Sequence, residues 1–194
     1  MDLKIKGKNA FITGGTRGLG LASLKSLASE GVNIAYCSRS EEGIKKVNEY
    51  LSNFDIKNFG FVHEIDSNDK NIKELVKKID ENFGNIDILV NNVGGSLGSS
   101  SLLENDIETY MNVFNINFWS SIKLMKVYSE RMVLNGWGRV INIASIFGRE
   151  YGGKSSSYMS SKASLIAATK HLSIELADKG VTVNSIAPGS IKHE

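Results

Sequence analysis

A tyrosine and a lysine stand four residues apart in the stretch SSSYMSSKAS, residues 155–164. On a helix, Tyr158 and Lys162 would share one face. A free phenol titrates at about pH 10, so it exchanges protons poorly at neutral pH. A neighbouring ammonium favours the phenolate and makes the phenol usable as a general acid or a general base. The small side chains around the pair leave room for a substrate, although the spacing alone also fits an exposed pair on an amphipathic helix.

A glycine-rich stretch, ITGGTRGLG at residues 12–20, joins a predicted strand to a predicted helix. Gly14, Gly18 and Gly20 permit backbone torsions and close approaches that a Cβ would block. The N-terminus of the following helix offers free amides and a positive dipole end, which suit a pyrophosphate. The spacing G-x-x-x-G-x-G differs from the commonest dinucleotide fingerprint, and a glycine-rich turn without a ligand is the alternative. The position after the first strand of a βαβ unit favours dinucleotide binding.

Apolar runs and amphipathic patterns alternate along the chain. Short apolar runs predict buried strands over residues 9–13, 32–37, 58–65, 86–92, 138–145 and 181–187. Amphipathic patterns predict a helix that begins near Gly18 and ends at Gly31, a helix over 71–84, and a helix over 164–180 that ends at Gly180. This alternation implies a parallel sheet with helices on both faces, which is a doubly wound α/β fold in a single domain.

The segment 109–134 predicts a helix that is apolar on nearly all sides. A helix of this kind is buried on more than one side. Two placements stay open: the helix lies deep within the monomer, or it meets a partner subunit.

Composition and charge exclude several classes of protein. The chain has 194 residues and a net charge of +2, too small to indicate a nucleic-acid partner. The single cysteine, Cys37, allows no intrachain disulfide and no thiolate metal cluster, and His63, His171 and His193 show no ligand spacing, so we expect no metal. The N-terminus lacks the apolar run of a signal peptide, and no apolar stretch could span a bilayer. We therefore expect a cytoplasmic protein without a membrane partner.

Five motifs occur along the chain in one order: TGGTRGLG, NNVGG at 91–95, Ser145, YMSSK at 158–162 and APG at 187–189. In this order and spacing the chain resembles the short-chain dehydrogenase/reductase family, and within it the reductases related to 3-oxoacyl-acyl-carrier-protein reductase. The resemblance covers the whole chain. It implies a Rossmann-type sheet with strand order 3-2-1-4-5-6. It also implies hydride transfer between a nicotinamide cofactor and a carbonyl/alcohol substrate, with a 3-oxoacyl thioester as one candidate.

The resemblance implies four catalytic residues. Tyr158 exchanges the proton, and Lys162 supports the phenolate and binds the nicotinamide ribose. Ser145 holds the substrate oxygen. Asn117 holds a water in a proton relay, and its near neighbour Asn115 could be confused with it. A nucleophilic Ser145 is the competing interpretation, which the lack of a G-x-S-x-G elbow and of a partner histidine disfavours.

The end of the second predicted strand indicates which nicotinamide cofactor binds. An acidic residue there would bind the ribose hydroxyls of NAD(H), but Ser38 is neutral and Arg39 is cationic. Arg17 lies in the glycine loop on the same side, and two guanidinium groups suit a phosphate dianion. NADP(H) is therefore favoured, with NAD(H) as the alternative. The expected cofactor-binding residues are Gly14, Thr16, Arg17, Gly18, Leu19, Gly20, Ser38, Arg39, Asp66, Ser67, Asn92, Gly94, Tyr158, Lys162, Pro188, Gly189 and Ile191.

The resemblance also implies a substrate-covering segment and one more strand after the loop at Pro188 and Gly189. Only three residues follow Ile191. We therefore expect one dinucleotide-binding domain over 1–194 that is truncated after this loop, with the last strand of the family missing.

Two interpretations of function stay open. The first is an NADP(H)-dependent oxidoreductase whose substrate pocket includes the loop over 94–103 together with Ile146, Phe147, Glu150 and Tyr151. The second is a truncated family member that binds the cofactor and turns it over weakly or not at all. In both cases the resemblance implies a homo-oligomer formed through the helix around 109–134.

Overall fold

The computed structural model describes residues 2–191, so His193 lies outside the described residues. Its centre is a parallel six-stranded sheet in the order β3-β2-β1-β4-β5-β6. The predicted fold class and strand order are therefore confirmed. The strands are β1 (Asn9–Thr13), β2 (Asn33–Ser38), β3 (Asn58–Val62), β4 (Ile88–Asn91), β5 (Gly138–Ile143) and β6 (Val181–Ile186).

Helices cover both faces of the sheet, which is why the strands read as nearly continuous apolar runs. Phe11 and Ile12 are neighbours on β1, and their side chains enter two separate hydrophobic cores on opposite faces. Across the described residues, no helix combines the length and the apolar character that crossing a membrane requires. The helices are α1 (Gly18–Ser29), α2 (Glu41–Leu51), α3 (Asp69–Asn82), α4 (Ile107–Phe114), α5 (Ser120–Leu134) and α6 (Ser156–Glu175).

Two helices were predicted to end at a glycine, and only the first of them does. After α1, Gly31 adopts a φ of +74°, and the amides of Gly31 and Val32 donate to the carbonyls of Ala28 and Leu27, a Schellman ending. The prediction that α6 ends at Gly180 is wrong, because the helix stops at Glu175 and the chain continues in turns.

Gly180 serves a different purpose from that of a helix cap. Its φ is +73°, and a Cβ there would overlap with the carbonyl oxygen of Gly136. The Gly138 amide also donates to the carbonyl of Gly180 at 3.3 Å. The glycine therefore lets the segments that enter β5 and β6 lie against each other.

The predicted helix over 109–134 is a continuous helical segment with a wider turn in its middle. Between α4 and α5 lies a π-helical turn, Asn115–Trp119, with i→i+5 hydrogen bonding. The α5 part packs into the monomer core through Leu124 and Tyr128, as the first predicted placement requires. The α4 part and the π turn leave Met111 and Trp119 exposed, so the second placement stays a prediction there.

A buried chain of amide and hydroxyl groups fixes α6 against the sheet. Asn91 Nδ2 on β4 donates to Asn142 Oδ1 on β5 at 2.9 Å. Asn142 Nδ2 donates to Thr169 Oγ1 on α6, also at 2.9 Å. All three residues are buried, and polar groups in such places are costly to leave unpaired. This series of hydrogen bonds therefore fixes the position of α6 along β5. Thr169 lies two helical turns after Lys162.

Candidate active site

Lys162 is a deeply buried cation at the start of α6. Its side chain is only 2% exposed, and Nζ donates to the carbonyl oxygen of Ile143 on β5 at 2.8 Å. Nζ also lies 5.8 Å from the centre of the Tyr158 ring, so the two residues lie side by side on one helix face. Burial lowers the pKa of Lys162 to about 8, because desolvation disfavours the charged form. The ammonium still predominates at neutral pH.

The buried ammonium makes the stability of the cofactor-free protein depend on pH. Folding lowers the pKa of Lys162 from its ordinary value of 10.5 to about 8. Between about pH 8 and pH 10.5 the unfolded state therefore binds more protons than the folded state. The free energy of unfolding should therefore rise with pH from about 8 to about 10.5, by roughly 3 kcal/mol from this group. Urea unfolding at several pH values, compared with Lys162→Met, isolates this contribution. Equal slopes for the two proteins would contradict the assignment.

Asn117 lies in the π turn and is held by the backbone of Gly95. Its Oδ1 accepts from the Gly95 amide and its Nδ2 donates to the Gly95 carbonyl, both at 2.8 Å. The neighbouring Gly94 packs just as closely, because a Cβ there would overlap with Asn117 Oδ1 and lie 3.0 Å from Lys162 Nζ. The polar ends of Asn117 and Lys162 therefore meet at one point over Gly94, where only a glycine fits.

Asn115, the neighbour that the sequence could confuse with Asn117, points elsewhere. Its Oδ1 accepts a hydrogen bond from Ser67 Oγ at 2.9 Å, in the loop after β3. Asp66 precedes this serine, and its Oδ1 accepts from the amide of Asn68 at 2.6 Å. An open cavity of about 580 Å³ is lined by Asp66, Ser67 and Asn115, together with residues of α4. The two asparagines thus contact two different loops at the same edge of the sheet.

Ser145 follows β5 directly and lies beside the loop after β6. Its Oγ accepts from the amide of Phe147 at 3.2 Å, which leaves its hydroxyl proton free to bond a substrate oxygen. The next amide, of Ile146, donates to the carbonyl of Pro188 at 2.9 Å. Ser145 is buried, whereas Gly189 in this loop and Ile191 after it are exposed. The loop therefore borders the site through Pro188.

The glycine loop after β1 is held close to the start of α1. Gly14 has a φ of +69° and Gly18 a φ of +54°, both in the left-handed region. A Cβ on Gly20 would overlap with the carbonyl oxygen of Gly14. The side-chain amide of Asn92 donates to the carbonyls of Thr13 and Gly14 at 2.9 and 3.2 Å, so its donors hold the loop. This compact loop leaves the amides at the start of α1 free for an anion.

Thr16 and Ser38 connect the glycine loop to the end of β2, with 2.7 Å between their hydroxyl oxygens. Arg39 follows and pairs with Glu64 at 3.3 Å, but the two side chains are 68% and 70% exposed, so this ion pair is weak. Arg17 is exposed at the N-cap of α1. The structure gives no contact between the two arginines, so their joint binding of a phosphate stays a prediction.

Three contributions to the site were missed in the sequence. The hydroxyl of Thr13 accepts from the amides of Asn92 and Val93, Gly95 holds Asn117, and the carbonyl of Ile143 holds Lys162. The second glycine of NNVGG was a visible signal for Gly95. A backbone carbonyl has no sequence signature, so Ile143 could not be found that way.

The chain is similar to one known family and to several solved structures. A family model described as short chain dehydrogenase matches residues 8–194. The chain is 36% identical over 193 residues to the 3-oxoacyl-acyl-carrier-protein reductase FabG of Buchnera aphidicola, covering 98% of this chain and 76% of that relative. It superposes with a TM-score of 0.88 on a variant of actinorhodin polyketide ketoreductase with NADPH, at 31% identity over 96% of this chain and 72% of the other. NAD⁺-bound xylitol dehydrogenase also gives a TM-score of 0.88, at 27% identity over 96% and 71%.

Proposed function

This chain belongs to the short chain dehydrogenase family and is an oxidoreductase that acts on a carbonyl or alcohol group with a nicotinamide cofactor, and from that premise we propose that it reduces a 3-oxoacyl thioester with NADPH. The observation that supports this most directly is the ammonium of Lys162. It is buried beside Tyr158, and within residues 2–191 it has no carboxylate partner. A buried cation without such a partner costs folding free energy, so its retention indicates a chemical role.

The residues of the site fit a nicotinamide dinucleotide at three places. The glycine loop and the first turn of α1 offer backbone amides to a pyrophosphate. The Lys162 ammonium, which gives one hydrogen bond to the Ile143 carbonyl, has further donors to offer to the nicotinamide ribose. Thr16, Ser38 and Arg39 offer hydroxyl and guanidinium groups to a 2′-phosphate at the end of β2.

We assign one task to each of the four polar side chains in the reduction. When bound, NADPH supplies the hydride that the carbonyl carbon accepts. Ser145 donates a hydrogen bond to the carbonyl oxygen and stabilises the negative charge that develops there. Tyr158 donates a proton to the same oxygen, and Lys162 stabilises the phenolate that remains. Asn117 holds the water through which the proton is replaced.

The surroundings of Ser145 support an acyl chain as substrate. Phe147 and Tyr151 follow it in the chain and are 37% and 84% exposed. Exposed apolar groups near a polar centre are typical of pockets that bind an apolar chain with a polar head. FabG, named as a 3-oxoacyl-acyl-carrier-protein reductase, is among the relatives, which supports the same substrate class.

Turnover of NADPH tests the proposal. We expect the purified chain to oxidise NADPH with acetoacetyl-coenzyme A and to act poorly on xylulose, the ketone related to the substrate of xylitol dehydrogenase. Preference for xylulose would contradict the substrate class. Tight NADPH binding without turnover of any carbonyl would instead favour the weakly active alternative, which the relatives do not favour.

Replacing Arg39 by alanine should change the choice between the two cofactors. We expect the Kd for NADPH to rise about 10- to 100-fold, because a charge-assisted contact to the 2′-phosphate is lost. The Kd for NADH should stay within about twofold, because NADH carries no such phosphate. Fluorescence titration with both cofactors measures this. Glu64→Gln, which frees Arg39 from its partner, is the control and should not weaken NADPH binding. Equal weakening of both cofactors by Arg39→Ala would contradict the assignment.

We further propose that the chain forms a homo-oligomer through α4 and the π turn. Tyr110, Met111, Phe114 and Trp119 border an open apolar cavity of about 220 Å³ on this surface. Exposed apolar patches of this kind are typical of protein interfaces. Sedimentation velocity tests the proposal, and a monomer at micromolar concentration would contradict it.

A cytoplasmic location is also part of the proposal, supported by the single, buried Cys37.

A further inference from the structure

The N-terminus of α6, which carries Tyr158, has no cap of its own. Ser155 occupies the N-cap position but its side chain makes no capping hydrogen bond. The amides of the first helical turn have no acceptor within the helix, so they need partners from elsewhere. The loop between β4 and α4 supplies two of them.

Ser99 and Ser100 of this loop accept the hydrogen bonds that Ser155 does not. The amide of Tyr158 donates to Ser99 Oγ at 3.3 Å. The amide and the hydroxyl of Ser156 both donate to the carbonyl oxygen of Ser100, at 2.9 and 2.8 Å. The first turn of α6 is therefore capped by residues more than fifty positions earlier in the chain.

A short line of side-chain hydrogen bonds holds the Ser99 hydroxyl in place. Asn105 Nδ2 donates to Ser157 Oγ at 2.8 Å, and Ser157 Oγ donates to Ser99 Oγ at 2.8 Å. Ser157 is completely buried, and its two partners, Ser99 and Asn105, are half-buried. Hydrogen bonds in such a chain strengthen one another, and the loss of one member leaves buried polar atoms unpaired.

We propose that Ser99 is a positioning residue for Tyr158 and that its hydroxyl caps the helix turn on which the proton-transferring phenol stands. This inference rests on the proposed function. Lys162 is held independently by β5 through the carbonyl of Ile143. Loss of the cap at Tyr158 would therefore displace the phenol relative to an ammonium that stays in place. Displacements of this size have large effects on proton transfer.

The test compares Ser99→Ala with two matched variants. Ser99→Thr keeps a hydroxyl at the same place. Ser100→Ala keeps the backbone carbonyl that accepts from Ser156 and removes a side chain for which the structure shows no hydrogen bond. We expect Ser99→Ala to lower kcat for acetoacetyl-coenzyme A about tenfold, with the Kd for NADPH within about twofold. Ser99→Thr and Ser100→Ala should keep kcat within about threefold of the original.

Hydrogen exchange gives a second readout that does not depend on activity. The amide of Tyr158 should exchange faster in Ser99→Ala, and amides near the middle of α6 should not change. Unchanged kcat or unchanged exchange at Tyr158 in Ser99→Ala would overturn the inference, and so would an equal loss of kcat in Ser100→Ala. A chain that neither binds nor oxidises NADPH would contradict the proposed function, whereas the exchange of the Tyr158 amide would still decide whether Ser99 caps α6.

Discussion

Replacing Tyr158 by phenylalanine is expected to lower kcat for carbonyl reduction by about 10²- to 10⁴-fold, the usual contribution of a general acid. The affinity for NADPH should change by less than about twofold, because the ring and the helix stay and only the hydroxyl is lost. Steady-state kinetics with acetoacetyl-coenzyme A and fluorescence titration with NADPH measure the two quantities separately. A variant that keeps its kcat would exclude Tyr158 as the proton donor.

The control for this variant removes a phenolic hydroxyl away from the site. Tyr50 lies on α2, where its ring packs near Phe54 and Lys25. Tyr50→Phe should leave both kcat and NADPH affinity unchanged. If Tyr158→Phe lowered NADPH affinity as strongly as kcat, the hydroxyl would have to be assigned to cofactor binding and not to proton transfer.

Replacing Gly94 by alanine should have the second largest effect. The added methyl group would overlap with Asn117 Oδ1 and lie 3.0 Å from Lys162 Nζ, so both polar ends would have to move. We expect kcat/KM to fall about 10²-fold, since displacement of catalytic groups by about 1 Å has effects of this size. The free energy of unfolding should fall by about 1–3 kcal/mol through overpacking. Urea unfolding and steady-state kinetics measure the two effects.

Gly95→Ala provides a matched control for this variant. A Cβ on Gly95 would meet only Leu97, at 4.0 Å, and the backbone atoms that hold Asn117 would remain. We expect kcat/KM within about threefold of the original and nearly unchanged stability. Similar losses in the two variants would mean that the loop tolerates no side chain at either position. The overlap of the Gly94→Ala methyl group with Asn117 and Lys162 would then be excluded as the specific cause.

The sheet could be predicted from the sequence because its signals are local and repeated. The run NAFIT ends at glycines, and β1 has the predicted bounds, Asn9–Thr13. The run over 58–65 was predicted too long, since β3 ends at Val62 at the edge of the sheet, where only β2 pairs with it. Strand ends at an edge are set by pairing with a neighbour, which hydrophobicity does not encode.

The site could be predicted only where residue types carry the chemistry. Tyr158 and Lys162 show their relation through helical spacing, and Gly14 and Gly20 through the need for close approach. The contacts of Ser99 could not be predicted, because serine is common in loops and its partner lies 59 positions away. The separate directions of Asn115 and Asn117 depend on the π turn, which has no reliable pattern in a sequence.

The π turn also lets one continuous helix carry an extra residue between two α-helical halves. Its wider hydrogen bonding takes up this residue, so the residues before Asn115 and those after Trp119 keep regular α geometry on either side. The α4 half can therefore change its surface residues for a new partner while the α5 half keeps its packing in the core. Deleting one residue within 115–119 would convert the turn to regular α geometry without rotating α4 against α5, because a π turn holds one residue more than an α turn. The extra residue therefore sets the directions of Asn115 and Asn117 and not the orientation of one helix half against the other.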